Sequence, residues 1–442
     1  MKNSGDEIAE EYRSKTNNSE ELYRKACEIL PEGIGGSSPP YSPYPFFVEK
    51  AEGAKMWDVD GNEFLDFNLC WGVLMVGHSH PKLVEGLSEQ LERGTMYGMP
   101  HEETREAAEE IVRRFPVDMV RFTNSGSEST LYSVRMARRY TGREKIIKIE
   151  GAYDGVYDPL HISKMPPVDQ IGPRERPVGV PHGGGITAET LKDTLIAPFN
   201  DIQVMEDLLD EHGEETAAVI VEPVMMNKGV IPPDDGYLKE LRKLTEEHDV
   251  LLIFDEVKTG VKIAPGGASE YYDIEPDLIA LAKAIGGGLP IGACAGRREV
   301  MEEIADEGLF GTYSANPLSV RACKITLTDI LTDSAYDRLS ELGEELMDGY
   351  RDIVEDNEID AVVQGINAVG GILFTGQEVR DFRDWTTVDE DTAHKYWLSM
   401  VNEGIVPMSY GADEEWLISV QHDDEDIEYH LEKFKEVGPS LR

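Results

Sequence analysis

Three short, wholly apolar runs limit this chain more than any other feature: Ala217-Ala218-Val219-Ile220-Val221, Val250-Leu251-Leu252-Ile253-Phe254 and Leu278-Ile279-Ala280-Leu281-Ala282. The first two read as strands buried on both faces, since neither offers a polar side to water. From about Glu102 such strands alternate with helical patterns. Met119–Thr123 and Lys145–Ile149 read as strands, Ser129–Tyr140 and Tyr237–His248 as helices. Strand and helix in alternation predict an α/β layer around a mostly parallel sheet.

The flanking segments have a different character. Residues 19–30 pattern as an amphipathic helix with Leu22, Ala26, Ile29 and Leu30 on one face and Ser19 as its cap. The Pro-rich stretch Gly33–Pro45 can only be a loop. Two alternating runs around Asp60-Gly61-Asn62 predict a hairpin between Ala54 and Phe67. His78 and His80 mark a turn before a helix from Pro81 to Arg93, no further ligand cluster accompanying them. Beyond a helix from Leu318 to Thr332, a second from Ala335 to Glu355, an apolar segment Val369–Phe374 and a strand-like Trp416–Val420 complete a smaller α+β part. The expected organisation is an N-terminal segment, 1–75, joined to a C-terminal small domain, 329–442, around a large domain, 76–328.

With 86 Asp and Glu against 42 Lys and Arg, the formal charge of −44 repels nucleic acid and anionic membranes. Strand and helix patterns persist throughout, so the excess acid belongs to the faces of a folded protein, and a hypersaline cytoplasm that screens it fits. Cys27, Cys70, Cys294 and Cys323 show no disulfide or zinc spacing, the N-terminus has no signal-peptide pattern and no run reaches membrane-spanning length.

Three candidates carry chemistry. Lys283 follows an apolar run and precedes Gly286-Gly287-Gly288, so its amine lies beside backbone without side chains. Flanked by Ile279, Leu281 and Ile285, it is expected to be partly desolvated, which lowers an amine's pKa and favours the neutral form that Schiff-base chemistry needs. Ser125-Gly126-Ser127 opens a helix after a strand and is either a plain cap or a phosphate cradle at the positive helix end. Asp255 ends a buried strand, where ligands sit in open α/β sheets, and it either meets a ligand or caps the next turn. An amine, a buried acid and a phosphate cradle are together the parts that pyridoxal phosphate requires.

The sequence resembles the class III, fold-type I pyridoxal-phosphate aminotransferases, and within them the glutamate-1-semialdehyde aminomutase subgroup. The likeness runs through Trp57–Gly61, Gly77-His78-Ser79-His80-Pro81, Leu252–Gly260 with Asp255-Glu256-Val257, Lys283–Pro290 and Gly311–Pro317. It implies a large domain with a mostly parallel, seven-stranded sheet flanked by helices. It further implies Lys283 as the Schiff-base lysine (internal aldimine) and proton carrier, and Asp255 at the pyridine nitrogen. Ser125, Gly126 and Ser127 would hold the phosphate, Tyr153 and Val257 the two ring faces, and Glu222 and Asn227 would lie beside the ring. Thr312 would reach the phosphate of a neighbouring subunit, which makes a homodimer part of the expectation. Trp71 matches the family's active-site tryptophan. Glu414 falls where the aminomutases keep a glutamate facing the substrate amine, a solvated acidic loop Asp413-Glu414-Glu415 being the alternative.

The chain departs from the family twice. Asp154 stands after Tyr153 where the family usually has His, and the Gly33–Pro45 loop lacks the Arg that takes the substrate carboxylate in aminomutases. Arg380 or Arg383 is a replacement only if it leaves what reads as an exposed stretch, Glu378–Asp384. The expected activity is an aminotransferase with a small-molecule amino donor and oxo acceptor, the rivals being an aminomutase, a lyase on the same scaffold and a non-catalytic binding protein.

Overall fold

A computed structural model describes residues 5–36 and 41–442. Met1 to Ser4 and the Ser37-Ser38-Pro39-Pro40 centre of the Pro-rich loop, with the readings that fall on them, lie outside the described residues. The chain divides into two compact units, a larger one of Lys82–Tyr336 with Val379–Thr387 and a smaller one of Met1–Pro81, Asp337–Glu378 and Val388–Arg442.

The larger unit is built on seven strands: β1 Met119–Thr123, β2 Lys145–Ile149, β3 Thr194–Ala197, β4 Thr216–Val221, β5 Leu251–Asp255, β6 Leu278–Leu281 and β7 Gly292–Gly296. Their order across the sheet is β1-β7-β6-β5-β4-β2-β3. Strand β7 runs antiparallel to both its neighbours, β1 and β6, and the remaining pairings are parallel. Six strands therefore point one way. Every residue of β4, β5 and β6 is buried, as their unbroken apolar runs require. Helix α1, Gly126–Thr141, covers one face and buries Val134, Met136 and Ala137 in the cluster that holds Ile220, Ile253 and Cys294.

Some boundaries moved for identifiable reasons. Helix α1 starts three residues before the predicted Ser129, because the Ser125 hydroxyl accepts the Glu128 N–H at 3.3 Å and caps it. The predicted helix Leu318–Thr332 is α-helical only over Pro317–Ile325 and widens into a π-turn over Thr326–Ile330, where the Leu327 and Leu331 carbonyls turn to the Arg114 guanidinium. The stretch Glu378–Asp384 is not simply exposed: Asp381 and Phe382 are buried, as is Trp385 just beyond it. Arg383 forks onto the buried carboxylate of Glu150 at 2.8 and 3.1 Å. Gly151 lies so close beneath Phe382 that a Cβ there would come within 2.5 Å of it.

In the smaller unit the hairpin forms as read, Lys55–Asp58 against Glu63–Asp66, with the Asp58 carboxylate accepting the N–H groups of Asp60 and Asn62 at 3.0 and 2.8 Å. Ile405–Val406 joins its edge in parallel, and Val362–Ile366, Val369–Leu373 and Trp416–Leu417 form a separate antiparallel sheet. The expected strand Trp416–Val420 thus stops after two residues. The helix predicted at 19–30 spans Asn17–Ala26, and its apolar face is not buried: Ile29 is 83% exposed, and Leu22 and Leu30 are exposed too. Polar contacts hold it instead, since Ser19, the expected cap, is buried and gives its N–H and hydroxyl to Asp60 at 2.9 and 2.8 Å.

Removing the Phe382 ring leaves a cavity over Gly151. Phe382→Ala is expected to destabilise the protein by about 3–5 kcal/mol, measured as a lowered midpoint in urea unfolding; an unchanged midpoint contradicts this packing.

Candidate functional site

Because six strands are parallel, five of their carboxyl ends deliver chemistry-bearing residues to one edge of the sheet: Asn124–Glu128 after β1, Tyr153 and Asp154 after β2, Glu222 after β4, Asp255 ending β5 and Lys283 after β6. That edge is where α/β sheets bind ligands. Contacts tie these loops to one another. Ser129 Oγ donates to the Leu281 carbonyl at 3.0 Å, and a Cβ at Gly126 would stand 2.8 Å from both methyls of Val257, so only glycine fits beside it.

Lys283 is half-buried and sits at φ +50°, a left-handed conformation that non-glycine residues adopt at a cost of about 1 kcal/mol or more. The strain holds the lysine at the end of β6 instead of letting the strand continue. The following glycines serve the protein itself: a Cβ at Gly286 would meet Ile291 at 2.7 Å, and one at Gly287 would meet Thr326 at 2.6 Å. The room at those two positions is filled by the core.

Asp255 is 4% exposed, and one of its oxygens accepts the Val257 N–H at 2.9 Å. Burial first, then the charges of Asp154 and Glu222, push its carboxyl well above the usual range. Glu222 braces the neighbouring loop. It accepts the Tyr153 N–H at 3.1 Å and the Asn227 side-chain amide at 2.8 Å, so Glu222 and Asn227 fix the backbone that carries Tyr153. Tyr153 is half-buried with the Lys164 ammonium 4.7 Å from its ring centroid, a cation–π contact with no local signal in the residue pattern.

At the cradle Ser125 is the cap, and Ser127 Oγ accepts the Val156 N–H at 3.3 Å. Helix geometry leaves the N–H groups of Gly126 and Ser127 in the first turn without a carbonyl of their own, at the positive end of a 16-residue helix. Gly155, at φ +98°, folds the loop back against Ser127, where a Cβ would clash at 2.7 Å. Thr312 is exposed, as are Phe310 and Tyr313, on a loop anchored by the Asn124 amide to Ser314 Oγ at 3.2 Å.

Two buried groups escaped the sequence reading. Lys148 is fully buried on β2, with Asp154 at 3.5 Å. Burial, with Glu222 adding to it against the pull of Lys148, pushes the Asp154 carboxyl up to about 7. Lys258, next to Val257, is also buried and donates to the Met226 carbonyl at 3.3 Å.

Trp71 and Glu414 belong to the smaller unit. Trp71 lies in a left-handed turn, with φ of 44°, 55°, 54° and 73° from Leu69 to Gly72, held where the Asn68 side chain accepts the Trp71 N–H at 3.0 Å. Runs of such backbone are rare outside functional segments. Glu414 is half-buried and Glu415 is 1% exposed, so that loop is not fully solvated.

The donor set fits pyridoxal phosphate: a lysine at one strand end, a buried acid beside it, an aromatic face and helix-terminal N–H groups. Asp154 adds an observation of its own, because neither of its buried oxygens has a hydrogen-bond partner.

Residues 37–437 match the profile of the family described as Aminotransferase class-III. The chain is 42% identical over 429 residues to the glutamate-1-semialdehyde 2,1-aminomutase of Methanothermobacter thermautotrophicus, covering 96% of this chain and 99% of the relative. Among solved structures it is similar to an omega-transaminase from Sphaerobacter thermophilus, with a TM-score of 0.90, 30% identity, and 98% and 99% of the two chains covered. It is also similar to a variant glutamate-1-semialdehyde-aminomutase from Pseudomonas aeruginosa PAO1 in complex with PMP, with a TM-score of 0.90, 25% identity, and 99% and 97% covered.

Proposed function

The chain belongs to the class III aminotransferases, which makes it a pyridoxal-phosphate enzyme, and on that premise we propose that it transfers an amino group between two separate small molecules. When bound, the cofactor supplies an electron sink for the pair left by a broken Cα–H bond. Lys283 would hold its carbonyl carbon, Asp255 its ring nitrogen, the Ser125-Gly126-Ser127 turn its phosphate, and Tyr153 and Val257 its two faces. The Lys283 amine, held at the strand end by its strained backbone, takes the Cα proton and returns it one position along. The buried carboxylate of Asp255 keeps a proton at the ring nitrogen.

The observation that supports transfer over internal rearrangement is the missing Arg in the loop where aminomutases take the substrate carboxylate. Gly33–Pro45 contains no Arg, and Arg383 is committed to Glu150. The second reading, an aminomutase, is favoured by the 42% identity to an enzyme of that name.

Three further features belong to this reading. The exposed Thr312, between the exposed Phe310 and Tyr313, supports a homodimer in which it reaches the partner's phosphate site. A cytoplasmic location is proposed; no described helix is long and apolar enough to cross a membrane. A charge of −44 supports life in concentrated salt, and dialysis to low salt is expected to abolish the far-ultraviolet circular dichroism of the helices, while full retention there contradicts it.

The functional test follows cofactor absorbance in high salt while a panel of amines and amino acids is added, with and without a keto acid. The expected result is conversion of the lysine-bound cofactor band by an amino donor of the panel, with net nitrogen transfer only when the keto acid is present. Lys283→Ala is expected to lack the band and to lose at least about 10³-fold in rate. Isomerisation of glutamate semialdehyde without an acceptor establishes the aminomutase, and release of ammonia from the donor a lyase.

A further inference from the structure

Asp154 and Glu256 are two buried acids on the same sheet edge with opposite circumstances. The Glu256 carboxylate is saturated: it accepts from Ala268 N at 2.6 Å, Ser269 N at 2.9 Å, Ser269 Oγ at 2.6 Å and Thr259 Oγ1 at 2.9 Å. That is how a buried acid looks when it holds a fold together. Asp154 is equally buried, at 1% exposure, and neither oxygen has a hydrogen-bond partner. Its nearest cation does not supply one. Lys148 spends its ammonium on three carbonyls, those of Ile149, Ala152 and Ile162, at 3.3, 3.1 and 3.0 Å, and stands 3.5 Å from Asp154. An ammonium has three donors, and all three are taken.

The placement of Asp154 is nonetheless enforced. Its carbonyl accepts the Thr130 hydroxyl at 2.7 Å, and Gly155 behind it closes on Ser127. So fixed, its carboxyl acts on that of Asp255, which burial first and then the Asp154 charge, more than any other neighbour's, push upward, so that Asp255 holds a proton more tightly. The charged groups around the pair are Lys148 on β2, Glu222 beyond β4 and Lys283 beyond β6, with Lys228 acting on Lys148. A carboxylate buried without hydrogen bonds costs free energy that its pairing with Lys148 recovers only in part.

We propose that Asp154 is a positioning residue for the cofactor ring: it places a second negative charge behind Asp255, so that the ring nitrogen facing Asp255 keeps its proton, while Lys148 balances the pair. Asp154 touches neither cofactor nor substrate. The inference rests on Asp255 as the ring-nitrogen partner.

The test compares two probes on the apoprotein, pyridoxal phosphate and its analogue in which the ring nitrogen is replaced by C–H, with dissociation constants read from quenching of tryptophan fluorescence. The wild-type protein is expected to prefer pyridoxal phosphate, because only its ring offers N–H to a buried carboxylate. In Asp154→Asn that preference is expected to shrink about tenfold, the equivalent of one pKa unit. Asp154→Ser, neutral and smaller, repeats the reading if Asp154→Asn folds poorly. In the double variant Asp154→Asn with Lys148→Met two opposed charges are removed together, so its preference is expected to lie between those of Asp154→Asn and the wild type. An unchanged preference in both single variants of Asp154, with both probes weakened alike, overturns the proposal and leaves Asp154 as a structural partner of Lys148. A wild-type protein that binds the two probes equally overturns the Asp255 reading and this proposal with it.

Discussion

The site depends on one constraint, the common direction of β1, β2, β4, β5 and β6. Parallel strands need crossover helices, and the crossovers bury both faces of the sheet. The same geometry returns each chain segment to the same edge, so that loops far apart in sequence end side by side. Reverse any one of these strands and its chemistry moves to the opposite edge. The antiparallel β7 shows the limit of this rule: it ends away from the site and contributes packing, with Gly292 set so close to Thr123 and Ser129 that a Cβ would come within 2.6 Å of both.

Charge is the second organising theme. A protein carrying −44 overall concentrates acids at its centre of chemistry as well, with Glu222, Asp154 and Asp255 all buried. Lysines answer them: Lys148 and Lys258 buried, Lys283 half-buried, and Lys164 over Tyr153. The acids and amines of this edge hold one another's charge where water cannot, and a single neutral substitution is felt by several neighbours at once.

The strands were legible because an unbroken apolar run of five residues has few other uses; Lys283, Asp255 and Ser125–Ser127 stood out by their position at strand and helix ends, whereas Tyr153, Val257, Glu222, Asn227 and Thr312 came only from the family resemblance. Periodicity misled where polar contacts, and not apolar burial, hold a helix: Leu22, Ile29 and Leu30 pattern as a core face, yet the helix is fastened through Ser19 and Asp60. It was silent on pairs made by the fold. Arg383 and Glu150 are 233 residues apart, and nothing local in Glu378–Asp384 announces that Phe382 will cover Gly151. Lys148 reads as a strand's polar position and proves to be fully buried, because its ammonium finds three carbonyls, one at the end of β2 and two in the turn and loop that follow it. Asp154 was visible only as a residue out of pattern; its unpartnered oxygens belong to three dimensions.

The central claim is that Lys283 holds the cofactor, and chemical trapping tests it most directly. Borohydride reduction of the protein loaded with pyridoxal phosphate, followed by proteolysis and mass mapping of the peptides, is predicted to place the added pyridoxyl mass on Lys283 alone. The mass on Lys148, Lys258 or a surface lysine, or no stable adduct at all, would contradict the account.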